Sequence, residues 1–123
     1  MKDISTTQTT RDVGNKGESL ACGLLEKRGY HIVDRNVHGR YGEVDIVAKK
    51  DNIYHFIEVR LRTNVTFGTP VETVNAKKRL RLKKTIEYYC MIKNVSRWQI
   101  DIIAIQNLKP APKIIFYKNI PLE

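Results

Sequence analysis

The stretch from position 42 to position 62 reads Gly42-Glu43-Val44-Asp45-Ile46-Val47-Ala48-Lys49-Lys50-Asp51-Asn52-Ile53-Tyr54-His55-Phe56-Ile57-Glu58-Val59-Arg60-Leu61-Arg62. Its density of valine, isoleucine and aromatic residues marks two strands, Gly42 to Lys49 and Ile53 to Arg62, with Asp51-Asn52 as the turn of a hairpin. Side chains alternate along a strand, so Glu43 shares a face with Asp45, and Glu58 shares one with Arg60 and Arg62. Pairing of the two strands brings acidic side chains together at one edge of an apolar scaffold.

Carboxylates held close together repel one another, and a positive group must neutralise them. A hard divalent cation is one candidate, because Mg²⁺ accepts one or two carboxylates together with waters and phosphate oxygens. The other is ordinary ion pairing of Glu43 and Glu58, as solvated strand-face residues, with Arg60, Arg62 or Lys49. Spacing alone leaves both open.

Working outward, Ala21, Leu24, Leu25 and Arg28 follow helical spacing, which predicts a helix from about Asn15 to Arg28 with Gly29 as its stop. Glu18 falls on its inward stripe. Tyr30 to Asn36 reads as a strand, with a turn at His38-Gly39. The segment Thr63 to Thr73 contains Gly68 and Pro70 and lacks periodicity, so it reads as a loop. A long helix follows from the N-cap Asn75 to about Lys93, with Leu82, Ile86, Tyr89 and Cys90 on its apolar face. Trp98 to Gln106 and Lys113 to Lys118 are the last strands, separated by the break Lys109-Pro110-Ala111-Pro112. The order is α-β-β-β-α-β-β, which predicts an α/β fold with a mixed β-sheet flanked by helices.

The 123 residues and 41% hydrophobic content suit one domain with one real core, placed at 14–123. Residues 1–13 hold five Ser or Thr and few large apolar side chains, so they read as a mobile tail. With no apolar leader and no membrane-length stretch, the expectation is a soluble, cytoplasmic protein without a membrane partner. Cys22 and Cys90 lack CxxC spacing and read as reduced thiols.

A formal net charge of +9 favours polyanionic partners, nucleic acid among them. Six basic residues, Lys77, Lys78, Arg79, Arg81, Lys83 and Lys84, crowd the start of the second helix and spread over several of its faces, leaving Leu82 and Leu80 to pack inward. Such a helix either binds phosphates without sequence preference or is simply a solubilising surface. Arg62 extends the polar face of Glu58 and Arg60 toward a phosphate or a surface ion pair. Asp101, inside the apolar run Trp98 to Ala104, requires a partner and reads as half of a structural salt bridge. His31, His38 and His55 lack zinc spacing and read as structural or solvent-facing. Tyr88, Tyr89 and Trp98 read as core or interface aromatics rather than base-stacking groups. Nucleophile-elbow, phosphate-loop and dinucleotide fingerprints are missing.

Gly42-Glu43-Val44-Asp45, then Phe56-Ile57-Glu58-Val59-Arg60-Leu61-Arg62, then Phe67-Gly68-Thr69-Pro70 and the basic helix together resemble the YraN-like family of small bacterial proteins. That family is similar to the restriction-endonuclease-like (PD-(D/E)xK) superfamily, with archaeal Holliday junction resolvases close in layout. The resemblance covers about Asn15 to Asn119. It implies a nuclease core in which Glu18, Asp45, Glu58 and Arg60 are the catalytic positions. Asp45, Glu58 and the Val59 carbonyl would ligate Mg²⁺ or Mn²⁺. Arg62, Lys77, Lys78, Arg79, Arg81 and Lys84 would bind nucleic acid, most naturally DNA, and relatives acting as symmetric pairs imply a homodimer.

Arg60 departs from the superfamily, which has lysine there. Guanidinium stays protonated and cannot serve as a general base, and its fork can pair with Glu58 or Asp45 in competition with a metal. The expectation is therefore a weak metal-dependent endonuclease. The alternative is a catalytically inactive DNA-binding or protein-interaction module of the same fold.

Overall fold

The computed structural model describes residues 10–62, 76–106 and 111–121. The chain runs α1 (Thr10–Lys27), β1 (His31–His38), β2 (Glu43–Lys50), β3 (Ile53–Arg62), α2 (Ala76–Lys93), β4 (Trp98–Gln106) and β5 (Lys113–Tyr117). The predicted order α-β-β-β-α-β-β is the observed one. α1 begins at Thr10, before the start expected at about Asn15. Residues 1–9 of the expected tail, the expected Thr63 to Thr73 loop, the expected Asn75 cap and Lys109-Pro110 lie outside the described residues.

α1 ends as the sequence requires. Gly29 takes φ +88°, the Tyr30 N–H reaches the Leu25 carbonyl and the Gly29 N–H reaches that of Glu26, a Schellman stop that satisfies the last carbonyls. α2 ends similarly, with Asn94 at φ 58° and the Val95 N–H on the Cys90 carbonyl.

The strands form one five-stranded sheet in the order β1-β2-β3-β4-β5. β1–β2 and β2–β3 are antiparallel, β3–β4 is parallel and β4–β5 is antiparallel. Asp51 and Asn52, at φ 53° and 63°, form the predicted hairpin tip, where both central residues of a tight type I′ turn need positive φ. The parallel β3–β4 pair runs from Tyr54↔Trp98 to Arg62↔Gln106; a parallel neighbour requires a crossover, and α2 lies within it.

Helices cover both faces of the sheet. Leu25 of α1 clusters with Ile46, Ile57 and Ile103, whereas Ile86 and Tyr89 of α2 cluster with Val47, Phe56 and Ile100. Tyr89 and Trp98 both meet Phe56 edge-on, at 5.4 and 5.9 Å between ring centroids, so both are core aromatics. Covering both faces explains why Ile102 to Ile105 are all buried and why β4 reads as a continuous apolar run.

Asp101, buried in that run, has the partner its position demands. His55 Nδ1 lies 2.7 Å from Asp101 Oδ2, and Oδ1 accepts the Asn119 N–H and the Gln99 side chain. Burial alone would raise this carboxyl, but the hydrogen bonds outweigh it and hold it below the usual range. An ionised carboxylate only accepts, so Nδ1 carries the proton. Cys22 and Cys90 are free thiols. No helix among the described residues is long and apolar enough to cross a membrane.

Candidate functional site

The β2–β3 ladder runs from Lys50↔Ile53 to Ile46↔Ile57. One residue further, Asp45 Oδ2 accepts the Val59 backbone N–H at 2.8 Å, so a side chain holds the strands together where the paired residues end. The facing pattern also breaks there. Strict alternation would put Val44 with Ile46, yet Val44 packs in the α2 cluster and Ile46 in the α1 cluster. Asp45 sits at this irregularity, half-buried between the two faces.

Above it opens a cleft of about 410 Å³, with Asp45, Glu43 and Glu58 on one side, Lys77, Lys78, Arg81 and Leu82 of α2 on the other, and Tyr41-Gly42 at its rim. Glu58, 16% exposed at its side chain, pairs with Lys78 Nζ at 2.7 Å, and Arg60 Nη2 lies 3.4 Å from it without a hydrogen bond among the described residues. The cleft therefore has an anionic floor and a cationic wall, with salt links between them.

Crowding and burial leave their mark on Asp45. Its carboxyl is pushed up to about 6, first by burial and then by the charges of Glu58, Glu18 and Glu43, with the Val59 hydrogen bond opposing the rise. Glu18 is raised as well, chiefly by burial, against the pull of Arg35. Its Oε1 lies 3.8 Å from Arg35 Nη2 and, although buried, has no hydrogen-bond partner among the described residues.

Of the four expected catalytic positions, Asp45 and Glu58 share the cleft and Arg60 joins them through Glu58. Glu18 is near enough for its charge to act on Asp45, but it does not line the cleft. The physical reason is that Glu58 points to the α2 side of the sheet, whereas α1 packs on the other. Among the described residues no three His, Cys, Asp or Glu side chains form a group that could hold a metal ion. What remains is a hard oxygen set of two carboxylates and the Val59 backbone beside them. That set still fits Mg²⁺ or Mn²⁺, which take one or two carboxylates and complete their shell with water and phosphate.

Of the expected nucleic-acid contacts, Lys77, Lys78 and Arg81 line the cleft. Lys84 stands just beyond it with Nζ 4.9 Å from the Tyr41 ring centroid. Arg79 is half-buried outside the lining. Arg62 closes β3 opposite Gln106. Leu80, expected to pack inward, is 54% exposed, because Leu82 and Ile86 already fill the face toward the sheet. The residue that spacing missed is Tyr41. Its signal was an aromatic side chain in the polar turn Gly39-Arg40-Tyr41-Gly42, immediately before the acidic strand.

The comparisons with known proteins agree with one another. The chain is 42% identical over 112 residues to a UPF0102 protein of Carboxydothermus hydrogenoformans, covering 89% of this chain and 95% of that protein. It is 44% identical over 95 residues to one of Campylobacter jejuni (76% and 83% covered), and 42% identical over 101 residues to one of Moorella thermoacetica (80% and 84% covered). A family model described as uncharacterised protein family UPF0102 matches residues 17–105, a span that contains α2 and every residue of the cleft, and the chain belongs to that family.

Proposed function

We propose that the cleft is a phosphodiester site, and that the protein is a nucleic-acid-binding protein of restriction-endonuclease-like build that hydrolyses DNA slowly in the presence of Mg²⁺ or Mn²⁺. One observation carries this reading: Asp45 and Glu58 face Lys77, Lys78 and Arg81 across a single cleft. Carboxylates for a divalent ion and cations for the flanking phosphates are the two halves such chemistry requires. The likeness of the strand motifs to the YraN-like family and to restriction-endonuclease-like proteins supports the same conclusion.

Asp45, Glu58 and the Val59 carbonyl would hold the ion, which when bound polarises a phosphate oxygen and acidifies its own water. The remaining work belongs to the chain. Lys77 and Arg81 bind phosphates on the α2 side. Lys78 adds an ammonium beside Glu58, where negative charge gathers. Arg60 stabilises charge without accepting a proton, which lowers the rate by roughly 10²- to 10⁴-fold relative to a site with a well-placed base. Glu18, behind Asp45, acts through its charge.

A second reading has its own support. Glu58 is already neutralised by Lys78 and Arg60, which suits a module that binds DNA and does not cut it. Incubating the full chain with labelled single-stranded, duplex and four-way-junction DNA, in Mn²⁺ or in EDTA and beside Asp45→Asn, separates the two. Metal-dependent cleavage absent from the variant supports the enzyme; binding without cleavage supports the module.

A further inference from the structure

We infer that Tyr41 is a stacking platform for an unpaired base, so that the cleft takes a single strand of nucleic acid in preference to uninterrupted duplex. This names the substrate class of the site proposed above and rests on that reading.

Tyr41 is 44% exposed, and it borders both the cleft and an adjoining open depression of about 610 Å³ that also meets His38 and Arg40. Core packing does not explain its place, since it belongs to neither apolar cluster. Its neighbours are cations: Lys84 Nζ lies 4.9 Å and Arg40 Cζ 5.9 Å from the ring centroid. A ring flanked by positive charge, beside a phosphate-sized cleft, is what a nucleotide needs for its base and its backbone together.

The turn that carries the ring is also held in place. The Gly39 N–H closes the turn on the Gly42 carbonyl at 2.7 Å. Gly39 is seated so tightly on α2 that a Cβ there would lie 3.0 Å from Thr85 Cγ2. A platform fixed before binding loses little freedom when a base lands on it. Inside a duplex both faces of each base are covered by its neighbours, so the ring gains a partner only where a base is unstacked. Stacking of this kind tolerates any sequence.

The test is fluorescence anisotropy of the full chain in EDTA with labelled oligothymidylate and with a blunt duplex of equal length. Tyr41→Ala should weaken oligothymidylate binding roughly 5- to 100-fold while duplex affinity stays within about twofold, and Tyr41→Phe should restore the wild-type value. Tyr41→Trp adds an independent readout, quenching of its indole emission by the oligonucleotide. Unchanged affinity in Tyr41→Ala, or an equal loss on both probes, overturns the stacking role and leaves the phosphodiester reading standing. Failure of the wild-type chain to bind either probe at low salt overturns both.

Discussion

Asp45 Oδ2 on β2 accepts the Val59 backbone N–H of β3 at 2.8 Å, one residue past the last ladder pair, Ile46↔Ile57. The bond ties the open end of the hairpin and fixes the carboxylate at the floor of the cleft. It also places a negative charge where burial and three nearby glutamates oppose it, so the residue that secures the site carries its charge at a cost.

The first prediction concerns that charge. Asp45 titrates at about 6 in the fold against an ordinary 3.8. Between those values the folded chain keeps a proton that the unfolded chain has lost, so the contribution to stability is full below 3.8 and declines as pH rises through about 6. Asp45→Asn, measured by urea unfolding in EDTA, should be more stable than wild type by about 1–3 kcal/mol at pH 8 and not at pH 4. Equal stability at both pH values would contradict the assignment.

Arg60 is the second point of test. Arg60→Lys restores an ammonium that can lose its proton, and should raise metal-dependent cleavage by about tenfold or more while leaving DNA affinity in EDTA within about twofold. Steady-state cleavage of a labelled substrate measures it. No increase would mean that the arginine is not what limits the rate.

The cationic wall should reveal itself in salt dependence. Lys77→Ala and Arg81→Ala should each flatten the plot of log affinity against log salt by about one unit, because each removes one phosphate contact and its released counterion. Lys93→Ala, at the far end of α2, should leave the slope unchanged. A slope indifferent to Lys77 and Arg81 would place binding elsewhere on the molecule.

The His55–Asp101 pair supports the opposite end of the sheet. Its depressed carboxyl contributes stability that is present above about pH 4 and lost as pH falls through the folded value. Asp101→Ala leaves a buried histidine without its acceptor and should cost about 3–5 kcal/mol at neutral pH. The variant should also lack part of the acid-side loss seen in wild type, a difference that unfolding curves at several pH values measure.

Local signals in the sequence carried over well. β3 and β4 match the predicted Ile53 to Arg62 and Trp98 to Gln106, because β-branched and aromatic residues are dense through both. Gly29 and the Asp51-Asn52 tip also fell where backbone sterics demand them. Positions set by distant contacts were less legible. Helical spacing put Glu18 on an inward stripe, but not on the side of the sheet away from Glu58, which depends on how each helix packs. Strand alternation put Glu43 and Asp45 together, and both line the cleft, but it did not foresee the change of facing between Val44 and Ile46. Tyr41 escaped notice because a single aromatic in a four-residue turn has no period.

The central claim is that Asp45 and Glu58 together hold one divalent ion opposite the cationic wall. Titration of Mn²⁺ into the full chain at pH 8, followed by electron paramagnetic resonance of the free ion, tests it most directly. The account predicts one bound ion per chain, lost in both Asp45→Asn and Glu58→Gln and weakened below about pH 6 as Asp45 takes up its proton. Wild-type chain that leaves all Mn²⁺ free, or binding that survives both substitutions, would contradict it.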